Sequence, residues 1–191
     1  MHIYKKGLVW LRRDYRIEDH TALNEALVQC DEVLVGFVFD INILAPLEKS
    51  DQRISFIINS LREVDKELEK FGSKLVIRHG LPDEKIPEII NTYGINALYF
   101  NRDYEPYAVK RDQKVHDAVN IPIHTFKDSV IFEKDEVLSK GGTHYKVFTP
   151  FKNRWLSLLN HEVTKPKSTP NHHFLPVDED NSIHENRWFD L

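Results

Sequence analysis

Charged and amide side chains directly follow three apolar segments of this sequence, and they have the clearest capacity to bind a ligand. Arg12, Arg13 and Asp14 follow the first segment, Asp40 follows the second, and Asn101, Arg102 and Asp103 follow another further along the chain. If the segments are parallel strands, these residues lie at the carboxyl edge of one sheet, where open α/β sheets bind ligands. Arginine and carboxylate groups could hold a polar ring there. Each residue could equally cap a helix or brace a loop, because Asp and Asn accept the free N–H groups at a helix start.

Most familiar catalytic and metal-binding patterns are absent from the sequence. The seven glycines are scattered, so neither a dinucleotide fingerprint nor a P-loop is present, and no serine lies in a nucleophile elbow. None of the ten histidines has another histidine four positions away, and we predict no metal site. Cys30 lies with Leu23, Ala26 and Leu27 on the apolar side of the first predicted helix and is expected to be a small core residue. We therefore expect a binding site without catalytic residues.

The elements that must position these residues alternate regularly along the chain. Short apolar runs predict five strands, at residues 7–11, 33–39, 74–77, 97–100 and 121–126. Helical periodicity lies between them and is clearest over residues 52–71, where apolar residues recur every third or fourth position before Gly72. The alternation predicts right-handed βαβ units. The expected fold is α/β, a doubly wound parallel five-stranded sheet of Rossmann-like form.

Beyond the fifth strand the pattern becomes less regular. The sequence predicts a short strand at residues 130–132 and a last amphipathic helix at residues 150–159. Residues 160–191 contain three prolines and show no sustained period, so we predict an irregular linker or extension after a domain at residues 1–159. A third predicted helix carries Ile86, Ile89, Ile90 and Tyr93 and ends at Gly94, and Pro87 is expected in its first turn, or as a kink within it.

Composition excludes several classes of protein. The 191 residues are 41% hydrophobic and 29% charged, which is typical of a globular protein, and no apolar run is long enough for a membrane helix. The net charge of -4 argues against direct nucleic-acid binding by this chain, because phosphate neutralisation needs clustered Lys and Arg. The single cysteine permits no internal disulfide and fits a reducing compartment, so we expect a cytoplasmic location.

Three motifs are similar to sequences of the DNA photolyase and cryptochrome family. Residues 8–23, LVWLRRDYRIEDHTAL, resemble the first strand and loop of its N-terminal domain. Residues 101–112, NRDYEPYAVKRD, resemble the exit of the fourth strand, and residues 145–155, YKVFTPFKNRW, resemble the end of that domain. The motifs occur in the family's order, and the resemblance covers residues 7–159. The extension resembles only the family's interdomain linker.

The resemblance implies the antenna-binding, Rossmann-like N-terminal domain of a light-dependent DNA-repair protein. In many members this domain holds a pigment that passes its excitation to a reduced flavin, FAD, in a C-terminal helical domain. That flavin donates an electron to a pyrimidine dimer. Family members are well over twice as long, so deoxyribodipyrimidine photo-lyase activity is expected only with a C-terminal flavin-binding domain or subunit, and no catalysis is expected from these residues alone.

The resemblance also identifies candidate chromophore-binding residues. They are Arg12, Asp14, Phe39, Asp40, Arg53, Asp103, Glu105 and Ala108. Folate-binding members resemble one another in an Asn-Glu pair where this chain has Tyr107 and Ala108, so the resemblance favours a deazaflavin or FMN over folate as the antenna chromophore. His20 replaces the family's usual Asn and is interpreted as a packing variation.

Two other classes of function remain open from the sequence. The first is a stand-alone nucleotide-binding module on the same fold, which would be expected to carry a glycine-rich phosphate loop near the fourth strand; residues 103–111 contain none. The second is a photolyase-like protein-interaction module without a chromophore, whose extension docks a partner. A bound near-ultraviolet or blue absorber would distinguish the antenna from both.

Overall fold

Five parallel strands form one sheet in the computed structural model, which describes residues 2–48 and 50–178. The strands are β1 (Tyr4–Leu11), β2 (Cys30–Asp40), β3 (Val76–Gly80), β4 (Ala97–Asn101) and β5 (Ile123–Phe126). Their order across the sheet is β3-β2-β1-β4-β5. The order reverses between β1 and β4, and ligands of open α/β sheets bind at such a switch point. The doubly wound Rossmann-like prediction is confirmed.

Helices connect the strands and cover both faces of the sheet. They are α1 (Thr21–Gln29), α2 (Ile41–Leu44), α3 (Gln52–Glu69), α4 (Pro82–Tyr93), α5 (Pro106–Ala118), α6 (Phe148–Leu158) and α7 (His161–Thr164). Apolar residues of α1 and α3 pack on one face of the sheet, and those of α4 and α5 pack on the other. The strands are continuously apolar because both of their faces are buried.

Several local predictions differ from the structure. Residues 130–132 form no strand. The helix predicted over residues 52–71 is α3, and it ends at Glu69. Pro87 lies in the interior of α4, which is the second of the two positions expected for it, and the first turn of the helix begins at Pro82. Cys30 is buried as predicted, but it is the first residue of β2, where its Sγ lies 3.5 Å from Tyr99 Oη.

Part of the extension packs against the edge of β2. Strand β3 pairs with β2 only from Gly36 onward, so the preceding part of β2 has an open edge. Residues 173–175 cover it: the Val33 N–H donates to the His173 carbonyl at 3.0 Å, and the Leu175 N–H donates to the Val33 carbonyl at 2.9 Å. The domain boundary after residue 159 stays a prediction, and residues 179–191 of the extension lie outside the described residues.

Buried apolar side chains accompany this pairing. Phe174, Leu175 and Val177 are all buried in the core of the sheet domain. The buried Ser73 hydroxyl also donates to the Leu175 carbonyl at 2.6 Å. Throughout the described part of the chain, no helix has the length and hydropathy needed to cross a bilayer.

Candidate functional site

A cavity of about 340 Å³ lies beside the carboxyl ends of β1 and β2, under the first turn of α5. All the predicted site residues except Asp14 line it: Arg12, Phe39, Asp40, Arg53, Asp103, Glu105 and Ala108. The aromatic and aliphatic side chains Phe37, Ile43 and Leu44 complete its apolar wall. This volume lies at the lower end of the range for small-molecule sites, which usually combine apolar walls with a few fixed polar groups.

Asp40 supplies a buried carboxylate to the cavity because it ends β2 and begins the turn into α2. Its Oδ1 accepts the Asn42 N–H at 3.0 Å and caps α2. Its Oδ2 accepts the Tyr107 hydroxyl at 2.7 Å, and Tyr107 lies in the first turn of α5. Burial and this hydrogen bond raise the pKa of Tyr107, so the phenol stays protonated and is the donor. The two sides of the cavity are thus joined by one hydrogen bond.

Two further carboxylates of the cavity, those of Asp103 and Glu105, lie in the β4–α5 loop. Asp103 Oδ1 accepts the N–H groups of Tyr104 and Glu105, at 2.7 and 3.3 Å, which fixes the loop backbone. Glu105 precedes Pro106 and forms an exposed ion pair with Arg13, with 2.8 Å between Nη1 and Oε1. Because an exposed ion pair contributes little to stability, both side chains could turn towards a ligand at low cost.

Arg53 lies at the rim of the cavity in the first turn of α3. Its guanidinium is held by Asp51, the N-cap residue of that helix, with 2.6 Å between Nη2 and Oδ2. Side-chain hydrogen bonds from Arg53 lower the pKa of Asp51 to about 2. The Arg53 side chain is 71% exposed, so the guanidinium is accessible to an anionic group at the rim.

Arg12 lines the cavity but is committed to a buried ion pair. Its Nη1 lies 2.5 Å from both carboxylate oxygens of Asp112 on α5, and its Nη2 donates to the Asn101 carbonyl. The guanidinium also lies 5.2 Å from the ring centroid of Trp10 and 4.7 Å from that of Phe100. Burial lowers the pKa of Arg12 and Asp112 opposes that effect. Arg12 therefore ties β1 and β4 to α5 and forms a rigid part of the wall.

Asp14 lies outside this cavity, in the wall of a neighbouring open cleft of about 750 Å³. Its carboxylate accepts the Arg12 N–H at 2.8 Å, the Asn101 amide at 2.7 Å and His20 Nε2 at 2.9 Å. Three donors from the chain itself hold this carboxylate in place. Asp14 thus braces the first loop, and its role in chromophore binding stays a prediction without support from its position.

His20 is fully buried and connects the Asp14 carboxylate to α1. Its Nδ1 accepts the Leu23 N–H at 3.1 Å as the N-cap of the helix, so its remaining proton is on Nε2 and is donated to Asp14. Besides packing in the core, the imidazole both caps α1 and donates to Asp14.

Acid should weaken the structure through Asp14. Burial alone would raise the pKa of Asp14, but its hydrogen bonds with His20, Arg12 and Asn101 outweigh burial and hold it well below the ordinary value near 3.8. Because the folded-state pKa is depressed, this carboxylate stabilises the fold fully above about pH 4 and loses that effect as the pH falls further. We expect Asp14→Asn to lower the free energy of unfolding by about 2 kcal/mol at pH 6 and by much less near pH 2.

Denaturant unfolding at several pH values measures this difference. Asp117→Asn is the matched control, because Asp117 is 67% exposed on α5. A constant difference between Asp14→Asn and the parent chain over this pH range would contradict the assignment.

Sequence reasoning did not assign Tyr107 to the chromophore site, and it named Arg13 only as part of the polar cluster that follows the first strand. Tyr107 and Arg13 both line the cavity and both contact one of its carboxylates. Tyr107 precedes the predicted Ala108, and Arg13 follows the predicted Arg12, so both were adjacent to predicted positions. The sequence carried no signal that Tyr107 contacts Asp40, 67 residues away, or that Arg13 contacts Glu105, 92 residues away.

Comparisons with known proteins agree with this architecture. The family model described as DNA photolyase matches residues 7–171. The chain is 30% identical over 166 residues to a deoxyribodipyrimidine photo-lyase of Synechococcus sp., covering 85% of this chain and 33% of that protein. A deoxyribodipyrimidine photo-lyase of Thermus thermophilus is 33% identical over 153 residues, covering 79% of this chain and 34% of that protein. The chain therefore spans about a third of the length of these curated photolyases.

Solved structures give the same result for the fold. An archaeal photolyase from Sulfolobus tokodaii, described with two FAD molecules and a novel light-harvesting cofactor, superimposes with a TM-score of 0.64 at 31% identity, over 88% of this chain and 37% of that chain. A class III photolyase from Agrobacterium tumefaciens superimposes with a TM-score of 0.79 at 24% identity, over 97% of this chain and 38% of that chain. The latter likeness concerns the fold alone.

Proposed function

Because this chain belongs to the DNA photolyase family and corresponds to its N-terminal domain, we propose that it is a light-harvesting antenna domain. It holds a chromophore in the cavity between β2 and α5. It passes the excitation of that chromophore to a flavin in a C-terminal domain, which carries out DNA photorepair in the full-length context. The chromophore supplies light absorption, and the residues of this chain bind it, orient it and exclude water from it.

The observation that carries this proposal is the composition of the cavity. Its apolar wall, formed by side chains such as Phe39 and Leu44, suits the faces of a flat ring system. The carboxylates of Asp40 and Glu105 can accept from ring N–H or hydroxyl groups, and the exposed guanidinium of Arg53 can pair with an anionic substituent. The residues present therefore fit a planar chromophore with polar edges.

Rigidity of the cavity also fits an antenna. Energy transfer depends on the distance and orientation of the chromophore, so its binding groups must be held in fixed positions. The buried pair of Arg12 and Asp112 and the buried network of Asp14 and His20 both fix strand ends next to the cavity. Neither group needs to take part in a reaction for this role.

The local sequence of α5 favours a deazaflavin or FMN over folate. Ala108 is buried in the cavity wall and offers a methyl group where a folate-binding member would place a carboxylate. Tyr107 beside it presents a neutral hydroxyl. A ring with an imide N–H and an anionic or phosphorylated group matches the acceptors of Asp40 and Glu105 and the cation of Arg53.

The surface of α6 supports a C-terminal partner domain. Val147, Phe148, Leu156 and Leu159 are large apolar side chains exposed on or beside this helix, and no residue of α6 is buried in the described structure. Clustered exposed apolar side chains mark interaction surfaces. The photolyases that this chain matches extend well beyond the aligned region, and we propose that the additional domain covers α6.

Reconstitution tests the antenna proposal. The purified chain is mixed separately with FMN, 8-hydroxy-5-deazariboflavin and methenyltetrahydrofolate, and the absorbance retained after gel filtration is measured. We expect the first or second ligand to be retained, and Asp40→Asn combined with Glu105→Gln to weaken its binding about tenfold or more, because two acceptors for ligand donors are lost. Both changes keep the side-chain shape, so thermal unfolding should stay close to that of the parent chain.

A matched control and a contrary outcome complete this test. Glu63→Gln on α3 changes a carboxylate that is 71% exposed and should leave binding unchanged. If the parent chain retains none of the three ligands, the antenna proposal fails and the protein-interaction alternative is favoured.

A further inference from the structure

Tyr107 forms a hydrogen bond with Asp40 across one side of the cavity. Its ring extends from the first turn of α5, and its hydroxyl donates to Asp40 Oδ2 at 2.7 Å, at the end of β2. Both residues line the cavity. The contact therefore links two elements on opposite sides of the space in which a ring would bind.

This contact occupies the acceptor that is best placed for ligand recognition. Asp40 is only 5% exposed, and its Oδ1 is already used by the Asn42 N–H at 3.0 Å. A carboxylate oxygen can accept two hydrogen bonds, but Oδ2 already accepts the Tyr107 hydroxyl, so a ligand N–H has to share or take over that acceptor. Removing a donor from a buried carboxylate is costly unless another donor replaces it.

The Tyr107 side chain can rotate out of the cavity into solvent without disturbing the core. Tyr107 is 39% exposed, whereas the neighbouring Ala108 is buried and anchors the same helical turn. Rotation about the side-chain torsions moves the ring into solvent while the helix backbone stays in place. Exposed side chains change rotamer within nanoseconds, so this movement does not limit binding.

We propose that Tyr107 competes with the ligand for Asp40, so that the cavity selects flat rings that present an N–H group to replace the tyrosine hydroxyl. This inference rests on the proposed function, because it assumes that the cavity binds a ring. A ring without such a donor would leave Asp40 Oδ2 without a hydrogen bond if it displaced Tyr107, and it would therefore bind poorly. Tyr107 is thus a specificity-determining residue of the site.

Tyr107→Phe tests the competition with FMN and 8-hydroxy-5-deazariboflavin as probes. The variant keeps the ring but removes the competing hydroxyl, so Asp40 Oδ2 has no donor before the ligand binds. We expect the Kd of whichever probe the parent chain binds to fall about tenfold or more, as for the gain of one hydrogen bond to a charged acceptor. The N3-methylated form of the same probe lacks the imide N–H and should gain nothing from Tyr107→Phe.

Tyr104→Phe is the matched control for loss of a tyrosine hydroxyl. Tyr104 lies three residues earlier, is 40% exposed, and donates its hydroxyl to Glu133 at 2.5 Å, away from Asp40. This variant should leave the Kd unchanged. In an Asp40→Asn background, Tyr107→Phe should also lose its effect, because the charged acceptor for which the two donors compete has been removed. Circular dichroism and thermal unfolding verify that each variant is folded.

The outcomes separate the failure of this inference from that of the proposed function. Equal or weaker binding of the N–H probe by Tyr107→Phe, with normal binding by the parent chain, overturns the competition and leaves the antenna proposal standing. An equal gain for the N3-methylated probe also overturns it, since Tyr107 would then act only by occupying space. If neither the parent chain nor Tyr107→Phe binds either probe or methenyltetrahydrofolate, both proposals fail. If the parent chain binds only methenyltetrahydrofolate, this inference fails and the antenna proposal stands.

Discussion

Asp112→Ala is expected to lower the free energy of unfolding by about 3–5 kcal/mol, the range for removing one partner of a buried ion pair. Asp112 accepts from Arg12 at 2.5 Å and from Arg111 at 3.0 Å, and both guanidinium groups lie close to the ring of Trp10. Without this carboxylate, two buried cations would remain with only weaker contacts to offset their desolvation. Chemical denaturation at neutral pH measures the change.

The control for this variant is on the same helix. Asp117→Ala removes a carboxylate that is 67% exposed on α5 and should change the free energy of unfolding by less than about 0.5 kcal/mol. Replacing Arg12 and Asp112 together by leucine should cost less than Asp112→Ala alone, since no unpaired carboxylate or Arg12 guanidinium is left. If Asp112→Ala behaves like Asp117→Ala, the Arg12 pair does not hold β1, β4 and α5 together.

Phe174→Ala is the second change with a large expected effect, a loss of about 3–5 kcal/mol in the free energy of unfolding. Phe174 is 6% exposed and packs near Phe71 and His172, with ring centroids 5.7 and 5.3 Å away. It lies in the segment that pairs with Val33 at the open edge of β2. Truncating the ring leaves a cavity, because the backbone pairing on either side keeps the segment in place.

Phe148→Ala is the matched control for loss of a phenylalanine ring. Phe148 is 72% exposed in α6, so its removal should change stability by less than about 0.5 kcal/mol. Hydrogen exchange adds a local readout: in Phe174→Ala the Val33 and Leu175 amides should lose protection more than amides at the centre of β1. If Phe174→Ala loses as little stability as Phe148→Ala, the ring of Phe174 does not contribute to the core.

The sequence identified the strands and helices because their periodicity is a local property. A run such as residues 33–39 is apolar at every position since both faces of β2 are buried, and residues 52–71 show the helical spacing of α3. Local patterns failed where tertiary context decided the outcome. Residues 130–132 are apolar enough for a strand, but they form no pairing with the sheet.

Most residues of the candidate site could also be predicted from the sequence. Parallel strands end at one edge, so residues that follow strands were expected to lie close together, and all those predicted except Asp14 line one cavity. Their role in binding a chromophore stays a prediction. The sequence could not show that Asp14 turns towards His20, because a carboxylate next to a strand end has several donors within reach.

The amino-acid sequence by itself determined the order and type of the elements, the edge of the sheet that carries polar groups, and the family motifs. Only the tertiary structure decided which side chains meet: Arg12 with Asp112, Tyr107 with Asp40, and Phe174 with the open edge of β2. The physical reason is that side-chain direction within an element follows from its period, whereas a partner many residues away depends on how whole elements pack. The two pairs at the candidate cavity, Arg12 with Asp112 and Tyr107 with Asp40, join residues that are far apart in the chain and therefore depend on this packing.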